Sequence, residues 1–212
     1  MHEIDYTRLR NEMVEFQLKG RGIHALNVLE AFIKVRRHLF VPEEYRTRSY
    51  ENRPIPIGYD QSISQPYITA YMTELLEPGK EMRVLEIGTG SGFQTAILSS
   101  LFKEVYSIEL IDALAYRSKS ILSEEGYDNI HIKIGDGYNG WKEFAPFDRI
   151  IVTCAPEHIP STLTGQLAEA GRMIIPTGER SKQKLCLLER KNGQISQMET
   201  LPVLFVPMVH KK

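Results

Sequence analysis

The sequence is short of cysteine and of long apolar runs. Its 212 residues include two cysteines, Cys154 and Cys186, and these lack the C-x-x-C spacing of a redox pair or a zinc site. The six histidines lack H-x-x-x-H spacing, so we expect no metal. No apolar run approaches the ~20 residues needed to span a bilayer, and the first residues are polar and acidic rather than secretory. We therefore expect a cytoplasmic protein with reduced thiols and no membrane partner.

The sequence also lacks an excess of charge of either sign. The formal net charge is −1 and the isoelectric point is about 6.6, whereas a nucleic-acid-binding face is normally basic. We therefore expect no nucleic-acid partner. A hydrophobic content of 42% and a charged content of 25% are ordinary for a globular chain, and the length suits one α/β domain. For the oligomeric state we expect a monomer.

Helical and strand-like segments alternate between residues 67 and 176. The pattern predicts helices over 67–76, 93–101, 111–125 and 161–167, and strands over 83–87, 104–109, 130–134, 147–152 and 171–176. Such alternation indicates a mainly parallel sheet with right-handed crossovers.

The flanking segments follow other patterns. Apolar residues at helical spacing predict two helices within 3–37. Four prolines prevent a long regular element in 41–66, and its apolar content favours an ordered loop laid over a site. Near the C-terminus, Asn192-Gly193 suits a type I′ turn between strands at 184–190 and 195–206. We expect an antiparallel hairpin there.

A strand that runs into a glycine loop is the central feature of the sequence. Residues 84–87 lead into Gly88, Gly90 and Gly92, and a helix follows. Glycines let the backbone approach a ligand closely, and helix N-terminal amides favour an anionic group. Phe93 occupies the third place of the G-x-G-x-x-G/A pattern, which disfavours an NAD-dependent oxidoreductase. The E-x-G-x-G-x-G spacing instead resembles motif I of the class I methyltransferases, although glycine-rich turns without ligands also occur.

Two acidic residues follow the next two predicted strands. Glu109 ends a strand about 20 residues beyond Glu86, where a carboxylate can accept both ribose hydroxyls of an adenosine. Asp136 lies between two glycines, where it could accept from an adenine amino group. Either residue alone would more often be a solvated charge or part of an ordinary turn. Because the carboxyl ends of adjacent parallel strands converge on one crevice, we expect them to form an adenosine site with the glycine loop.

Over nearly its whole length the chain resembles the protein-L-isoaspartate O-methyltransferases. The resemblance is carried by residues 37–42, 54–58, 61–66, 84–92, 135–137, 145–152, 171–176 and 205–209. Many methyltransferases share motif I, whereas Q-S-I-S-Q-P at 61–66 and F-V-P-M-V at 205–209 are far more specific. The family implies a Rossmann-like α/β fold: a mainly parallel sheet with an antiparallel C-terminal hairpin, helices on both faces and an N-terminal helical extension. We expect one domain, with N-terminal helices and a substrate and cofactor loop in 1–66, a cofactor-binding core in 67–176 and C-terminal strands in 177–212.

The resemblance also implies a repair activity. Such enzymes use S-adenosyl-L-methionine to methylate the α-carboxylate of L-isoaspartyl residues in damaged proteins and peptides, and they release S-adenosyl-L-homocysteine. The methyl ester collapses to a succinimide, which can hydrolyse to normal aspartate. Two alternatives stay open: a related carboxyl O-methyltransferase acting on another peptide or small acid, and a non-catalytic binding module that retains the fold.

Residue roles follow from the same resemblance. It places Ser64 at the active site, as the catalytic residue, and assigns substrate contacts to Ser62, Ser64, Val206 and Pro207. The residues expected to bind the cofactor are Gln61, Ser62, Ile63, Glu86, Gly88, Thr89, Gly90, Gly92, Glu109, Asp136 and Gly137.

Three positions leave a choice of interpretation. The family commonly has glycine where this chain has Asp60; Asp tolerates a positive φ better than most residues, and we expect it to face outward, with a modified substrate range as the other interpretation. Cys154 is expected to be a small buried filler rather than a reactive thiol. Residues 36–38, R-R-H, are expected to be a solvated helix end rather than an anion site.

Overall fold

The computed structural model describes residues 4–210, and the statements below refer to this part of the chain. Its α-helices are α1 Tyr6–Glu12, α2 Leu26–Lys34, α3 Pro66–Leu75, α4 Phe93–Ser99, α5 Asp112–Glu124 and α6 Ser161–Thr164. Its strands are β1 Ile55–Gly58, β2 Gln61–Ile63, β3 Arg83–Ile87, β4 Glu104–Glu109, β5 Ile130–Ile134, β6 Phe147–Val152, β7 Leu167–Thr177, β8 Lys184–Lys191 and β9 Gln194–Pro202.

Seven strands form one sheet in the order β5-β4-β3-β6-β7-β8-β9. The pairs from β5 to β7 are parallel, and β8 and β9 add an antiparallel hairpin at one edge. The predicted sheet and its C-terminal hairpin are confirmed. The strand order reverses at β3, which has β4 on one side and β6 on the other. Open α/β sheets bind ligands at the carboxyl ends of the strands beside such a reversal.

The side chains of β3 alternate between two hydrophobic clusters, because successive residues of a strand point to opposite faces. Val84 belongs to the cluster that includes apolar residues of α2, α4 and α5, whereas Leu85 and Ile87 pack in the same cluster as Leu163 of α6. Helices therefore cover both faces of the sheet, as predicted. A strand covered on both faces is apolar throughout its buried part, and Glu86 is the exception.

The predicted N-terminal helical extension is present. α1 continues into a wider π-helical segment, Met13–Leu18, and a 3-10 turn, Lys19–Arg21, before Gly22 ends it with a φ of 96°. Residue 3, where the predicted helix begins, lies outside the described residues. The apolar side of α2 packs into the same cluster as α4. The extension is therefore joined to the main core.

The segment 41–66 contains more regular structure than predicted. β1 and β2 pair as an antiparallel hairpin around the two-residue turn Tyr59-Asp60. A 3-10 helix covers Glu43–Arg48, and another, Arg37–Phe40, lies just before the segment. The expectation of an ordered segment without a long regular element is confirmed, but the short β1–β2 hairpin was not predicted. Pro56 is tolerated because both strands of a two-stranded hairpin are edge strands.

The largest differences between predicted and observed boundaries lie in the helix predicted over 161–167 and the strands predicted over 171–176 and 195–206. The strand predicted from residue 171 already begins at Leu167. The helix predicted over 161–167 ends at Thr164, because Gly165 follows it and Leu167 already begins β7. The strand predicted over 195–206 ends at Pro202, since proline has no amide with which to continue the ladder.

Candidate active site

A cavity opens at the carboxyl ends of β3, β4 and β6, where the strand order reverses. Its walls come from the loops after these strands, the start of α4, the β2 segment and residues 206–209. The predicted site residues that line it are Gln61, Ser62, Ile63, Ser64, Gly88, Thr89, Gly90, Glu109, Gly137, Val206 and Pro207. Three others, Glu86, Gly92 and Asp136, lie behind or beside the lining. Segments that are distant in sequence therefore meet in one place.

Two positions of the loop, 88 and 92, require glycine for different structural reasons. Gly88 has a φ of 97°, and a Cβ there would lie less than 3.0 Å from the Thr153 hydroxyl, which donates to the Gly88 carbonyl oxygen at 2.8 Å. Gly92 has a φ of 87°, and its Cβ would press against Ser118 and Leu122 of α5. Gly88 thus shapes the cavity wall, whereas Gly92 allows α4 to begin close to α5.

Glu109 holds the glycine loop in place. Its Oε2 accepts from the Gly90 amide at 2.7 Å, and its Oε1 accepts from the Ile111 amide at 2.9 Å. The side chain is almost completely buried but lines the cavity. Each carboxylate oxygen has a second lone pair, so these bonds leave acceptor capacity for hydroxyl groups of a ligand.

Glu86 lies beneath the loop and is fully buried. Its Oε2 accepts from the hydroxyls of Thr95 at 2.6 Å and Ser107 at 2.5 Å. Burial raises the pKa of Glu86 to about 8, although the hydrogen bonds from Ser107 and Thr95 lower it in part. The Ser107 hydroxyl also lies 2.6 Å from the Thr89 hydroxyl. Glu86 therefore supports the cavity through its neighbours rather than by direct contact.

Asp136 ties the C-terminal segment to the sheet. Its Oδ1 accepts from the Tyr138 amide, and its Oδ2 lies 2.9 Å from Nδ1 of His210. The His210 ring stacks on Tyr138 with centroids 4.1 Å apart, and the Tyr138 hydroxyl donates to the Met208 carbonyl oxygen. These contacts keep residues 206–209 against the cavity, with Asp136 at its edge.

A wider, open groove adjoins the cavity and shares part of its wall. The lining common to both consists of Gln61, Ser62, Ser64, Thr153, Val206, Pro207 and Val209. On its outer side the groove is bordered by the β1–β2 hairpin, by residues 202–205 and by Arg180. A small ligand in the cavity and an extended one in the groove would therefore meet at Ser62 and Ser64.

Asp60 lies at the rim of this groove. It is exposed, has a φ of 55° and forms the hairpin turn with Tyr59, whose φ is also 55°. Type I′ turns require positive φ at both central residues, and Asp is among the residues that accept it. Asp60 also lines the groove. The side chain is thus exposed to solvent and also borders the groove.

Some residues of the site were missed or misjudged from the sequence. Phe93 lines the cavity, although its position only served to exclude the dinucleotide pattern. Cys154, expected to be a small buried filler, is half-buried and lines the cavity. Burial raises the pKa of its thiol to about 12, so the sulfur stays protonated at neutral pH, in agreement with an unreactive thiol. Arg37 is fully buried, so the expectation of a solvated helix end at 36–38 is wrong for that residue. Nothing in composition or spacing distinguishes a buried arginine from an exposed one.

Over residues 4–210, no group of three or more His, Cys, Asp or Glu side chains could hold a metal ion. In the same part of the chain no helix has the length and apolarity to cross a bilayer.

Comparison with known proteins decides between the methyltransferase families. A family model, Protein-L-isoaspartate(D-aspartate) O-methyltransferase, matches residues 8–212. The chain belongs to this family. The protein-L-isoaspartate O-methyltransferase of Opitutus terrae is 49% identical and aligns over 97% of this chain and 89% of its own. That of Gloeobacter violaceus is 48% identical, over 94% of this chain and 98% of its own.

Solved structures of the family share the fold. One protein-L-isoaspartate O-methyltransferase has a TM-score of 0.84 at 30% identity, covering 93% of this chain and 65% of that one. A Plasmodium falciparum protein described as a member of the family, solved with S-adenosyl-L-homocysteine, has a TM-score of 0.82 at 27% identity, covering 98% and 99%. The resemblance inferred from the sequence motifs is therefore confirmed.

Proposed function

We infer that this chain transfers a methyl group from S-adenosyl-L-methionine to the α-carboxylate of L-isoaspartyl residues in damaged proteins and peptides, and so starts their repair. S-adenosyl-L-homocysteine is the other product. The observation that carries the inference is the shared wall at Ser62 and Ser64, which joins a glycine-loop cavity to an open groove. Relatives that are about half identical over almost the whole chain carry this activity in their names.

The cavity fits the methyl donor. We propose that the loop at 88–90 takes the amino-acid part of the donor close to the backbone, which the missing Cβ of Gly88 permits. Glu109 would accept the ribose hydroxyls with its remaining lone pairs. Asp136 and Gly137 would border the adenine, and residues 61–63 would cover the sulfonium end. Glu86 and Gly92 would act indirectly, through the packing of the loop.

Ser64 and residues 206–207 would bind the acceptor. Ser64 can orient the incoming carboxylate by donating a hydrogen bond from its hydroxyl. The Val206 carbonyl oxygen already accepts from the Ala155 amide at 2.8 Å. The other main-chain polar groups of these two residues are the Val206 amide and the Pro207 carbonyl oxygen, and we propose that these groups contact the substrate peptide.

The proposed reaction needs few catalytic groups. A free carboxylate has a pKa of ~4 and is ionised at neutral pH, so no general base has to activate it. The sulfonium of the donor supplies an already activated methyl group. The residues of this chain would therefore act by desolvating the carboxylate and aligning it for in-line attack.

A paired-peptide assay tests the function. The enzyme is incubated with methyl-labelled S-adenosyl-L-methionine and with two peptides that differ only in isoaspartate or aspartate at one position. We expect base-labile label on the isoaspartyl peptide and none on its partner. Binding of the donor by calorimetry without transfer to the isoaspartyl peptide would refute the proposal. Transfer to another carboxylate, such as a small acid, would favour the related carboxyl methyltransferase.

We further propose that the chain acts as a monomeric single domain in the cytoplasm, without nucleic-acid or membrane partners. The N-terminal helices, the sheet and Phe205 share one hydrophobic cluster, which supports one domain, and the net charge of −1 supports the absence of a nucleic-acid partner. Light scattering on the purified protein tests the monomer, because a dimer would give twice the mass.

A further inference from the structure

Arg37 is a cation buried beneath the proposed active site. Its side chain has no solvent exposure, and its contacts within residues 4–210 are main-chain carbonyl oxygens and an aromatic ring rather than an acidic side chain. Moving a charge out of water is costly unless an opposite charge offsets it. Burial lowers the pKa of Arg37 to about 9, which still leaves the guanidinium charged at neutral pH.

The guanidinium joins three parts of the structure. Its Nε donates to the Ser49 carbonyl oxygen at 2.7 Å, and its Nη2 donates to the Ser64 carbonyl oxygen at 2.8 Å. Its Cζ lies 4.8 Å from the centroid of the Phe93 ring, in cation–π geometry. Nη1 is buried, and no hydrogen-bond partner for it lies in the described chain. One side chain therefore touches both Ser64 and a residue of the cofactor cavity.

The hydrogen bond from Arg37 restricts the main chain at Ser64. The peptide unit between Ser64 and Gln65 is planar, so holding its carbonyl oxygen fixes the plane on the C-terminal side of Ser64. The hydroxyl of Ser64 then depends mainly on its own rotamer. Arginine suits this task because its rigid, planar fork is already arranged for several acceptors, whereas the ammonium of lysine is a single mobile point.

We propose that Arg37 is a positioning residue for methyl transfer, which sets Ser64 at a fixed place relative to Phe93 and so aligns the acceptor carboxylate with the cofactor cavity. The inference rests on the proposed function. In a reaction without a general base, rate depends on alignment, and a displacement of about 1 Å can lower the rate about 100-fold. Loss of the Arg37 fork should therefore lower kcat more than it raises the KM of either substrate.

Arg37→Lys is the first test, because it keeps the charge and removes the fork. We expect kcat on the isoaspartyl peptide to fall about 10- to 100-fold, while the dissociation constant of S-adenosyl-L-homocysteine changes less than about 3-fold. Arg149→Lys is the matched control. Arg149 is also buried and donates to the main-chain carbonyls of Leu76 and Glu77, but it lies toward the amino ends of the strands, away from the cavity. It should lose thermal stability and keep kcat.

A double-mutant cycle separates positioning from general stability. If Arg37 acts through Ser64, Arg37→Lys should lower kcat by a much smaller factor in a Ser64→Ala background than in the wild type. An equal decrease of kcat in both backgrounds, or a wild-type kcat for Arg37→Lys, would overturn the proposal. Should Arg37→Lys not fold, Arg37→Gln, which keeps an N–H donor, enters the same cycle. A wild-type enzyme without activity on isoaspartyl peptides would instead refute the proposed function, so the two failures are distinguishable.

Discussion

At the scale of single residues, Glu86 combines full burial with a carboxyl group that favours its neutral form. The pKa rises from an ordinary 4.5 to about 8, mainly because burial disfavours the charge. The folded protein therefore binds a proton that the unfolded chain releases between these two pH values. The stabilisation is complete below about pH 4.5 and is lost as the pH rises through about 8.

Glu86→Gln should remove this pH dependence, because the amide is neutral throughout. We expect the free energy of unfolding of the wild type, relative to the variant, to fall by up to about 1.4 kcal/mol per pH unit between about pH 4.5 and 8. Urea denaturation at several pH values measures it. Glu81→Gln, at a side chain that is 92% exposed, is the control and should leave the pH profile of the wild type unchanged. Parallel profiles for wild type and Glu86→Gln would contradict the prediction.

Asp60 should influence which peptides are good substrates. Its carboxylate is exposed at the groove rim, so it would repel acidic residues next to a bound isoaspartyl group and attract basic ones. Exposed charge pairs contribute up to about 1 kcal/mol. Asp60→Asn should therefore lower the ratio of kcat/KM for Lys-flanked peptides to that for Glu-flanked peptides by about 2- to 5-fold. Asn also accepts the positive φ.

Arg180→Gln, on the same groove, is the counterpart with the opposite charge. This variant should raise the ratio of kcat/KM for Lys-flanked peptides to that for Glu-flanked peptides. An unchanged ratio for both variants would show that flanking side chains do not reach the rim.

At the scale of elements, the sequence predicted best where local pattern and tertiary environment agree. The strands β3, β4, β5 and β6 have the predicted bounds, because apolar runs between helices demand burial on both faces of a sheet. The β1–β2 hairpin was missed because its turn is Tyr59-Asp60 rather than Asn-Gly, and because Pro56 argues against a strand. Asn192-Gly193 gave the C-terminal turn correctly, and both residues have positive φ.

The candidate site, like the fold, has features that the sequence predicts and features that it does not. Glycines and strand ends predict which loops converge, and the family resemblance added residues 61–64 and 206–207, so that 11 of the 24 residues that line the cavity were predicted from the sequence. The environment of a polar side chain is set by tertiary packing, and no pattern in the sequence shows it. Glu86 and Arg37 are both fully buried for this reason without any local sign of it.

The loop after β5 offers a sharp steric test. A Cβ at Gly137 would lie less than 3.0 Å from Ile87 in β3, whereas one at Gly135 would meet Lys133 no closer than 3.8 Å. Gly137→Ala should therefore weaken binding of S-adenosyl-L-homocysteine about 10-fold or more and lower the Tm, since overpacking costs about 1–3 kcal/mol. Gly135→Ala should change both quantities little. Calorimetry and thermal melting of the two variants measure this; equal behaviour would contradict the packing at Gly137.

At the scale of the whole molecule, ligand binding should be coupled to stability. A ligand at 100 times its Kd stabilises the native state by about 2.7 kcal/mol, which for a chain of this size corresponds to a rise in Tm of roughly 5–10 °C. We expect S-adenosyl-L-homocysteine to give such a rise and Glu109→Ala to reduce it strongly. A thermal melt in a ligand titration measures both. A Glu109→Ala shift equal to that of the wild type would contradict the ribose contact.

The cavity is closed from one side by residues 61–64 and from the other by residues 206–209, two segments separated by most of the chain. Neither segment belongs to the seven-stranded sheet, so a molecule can contain the whole sheet and still lack a binding site. Ligand binding is therefore a stricter test of the native structure than the secondary-structure content measured by spectroscopy. Titrating a preparation with S-adenosyl-L-homocysteine would count the fraction of molecules in which both segments are docked, which would make this product an active-site titrant for judging the quality of purified or refolded protein.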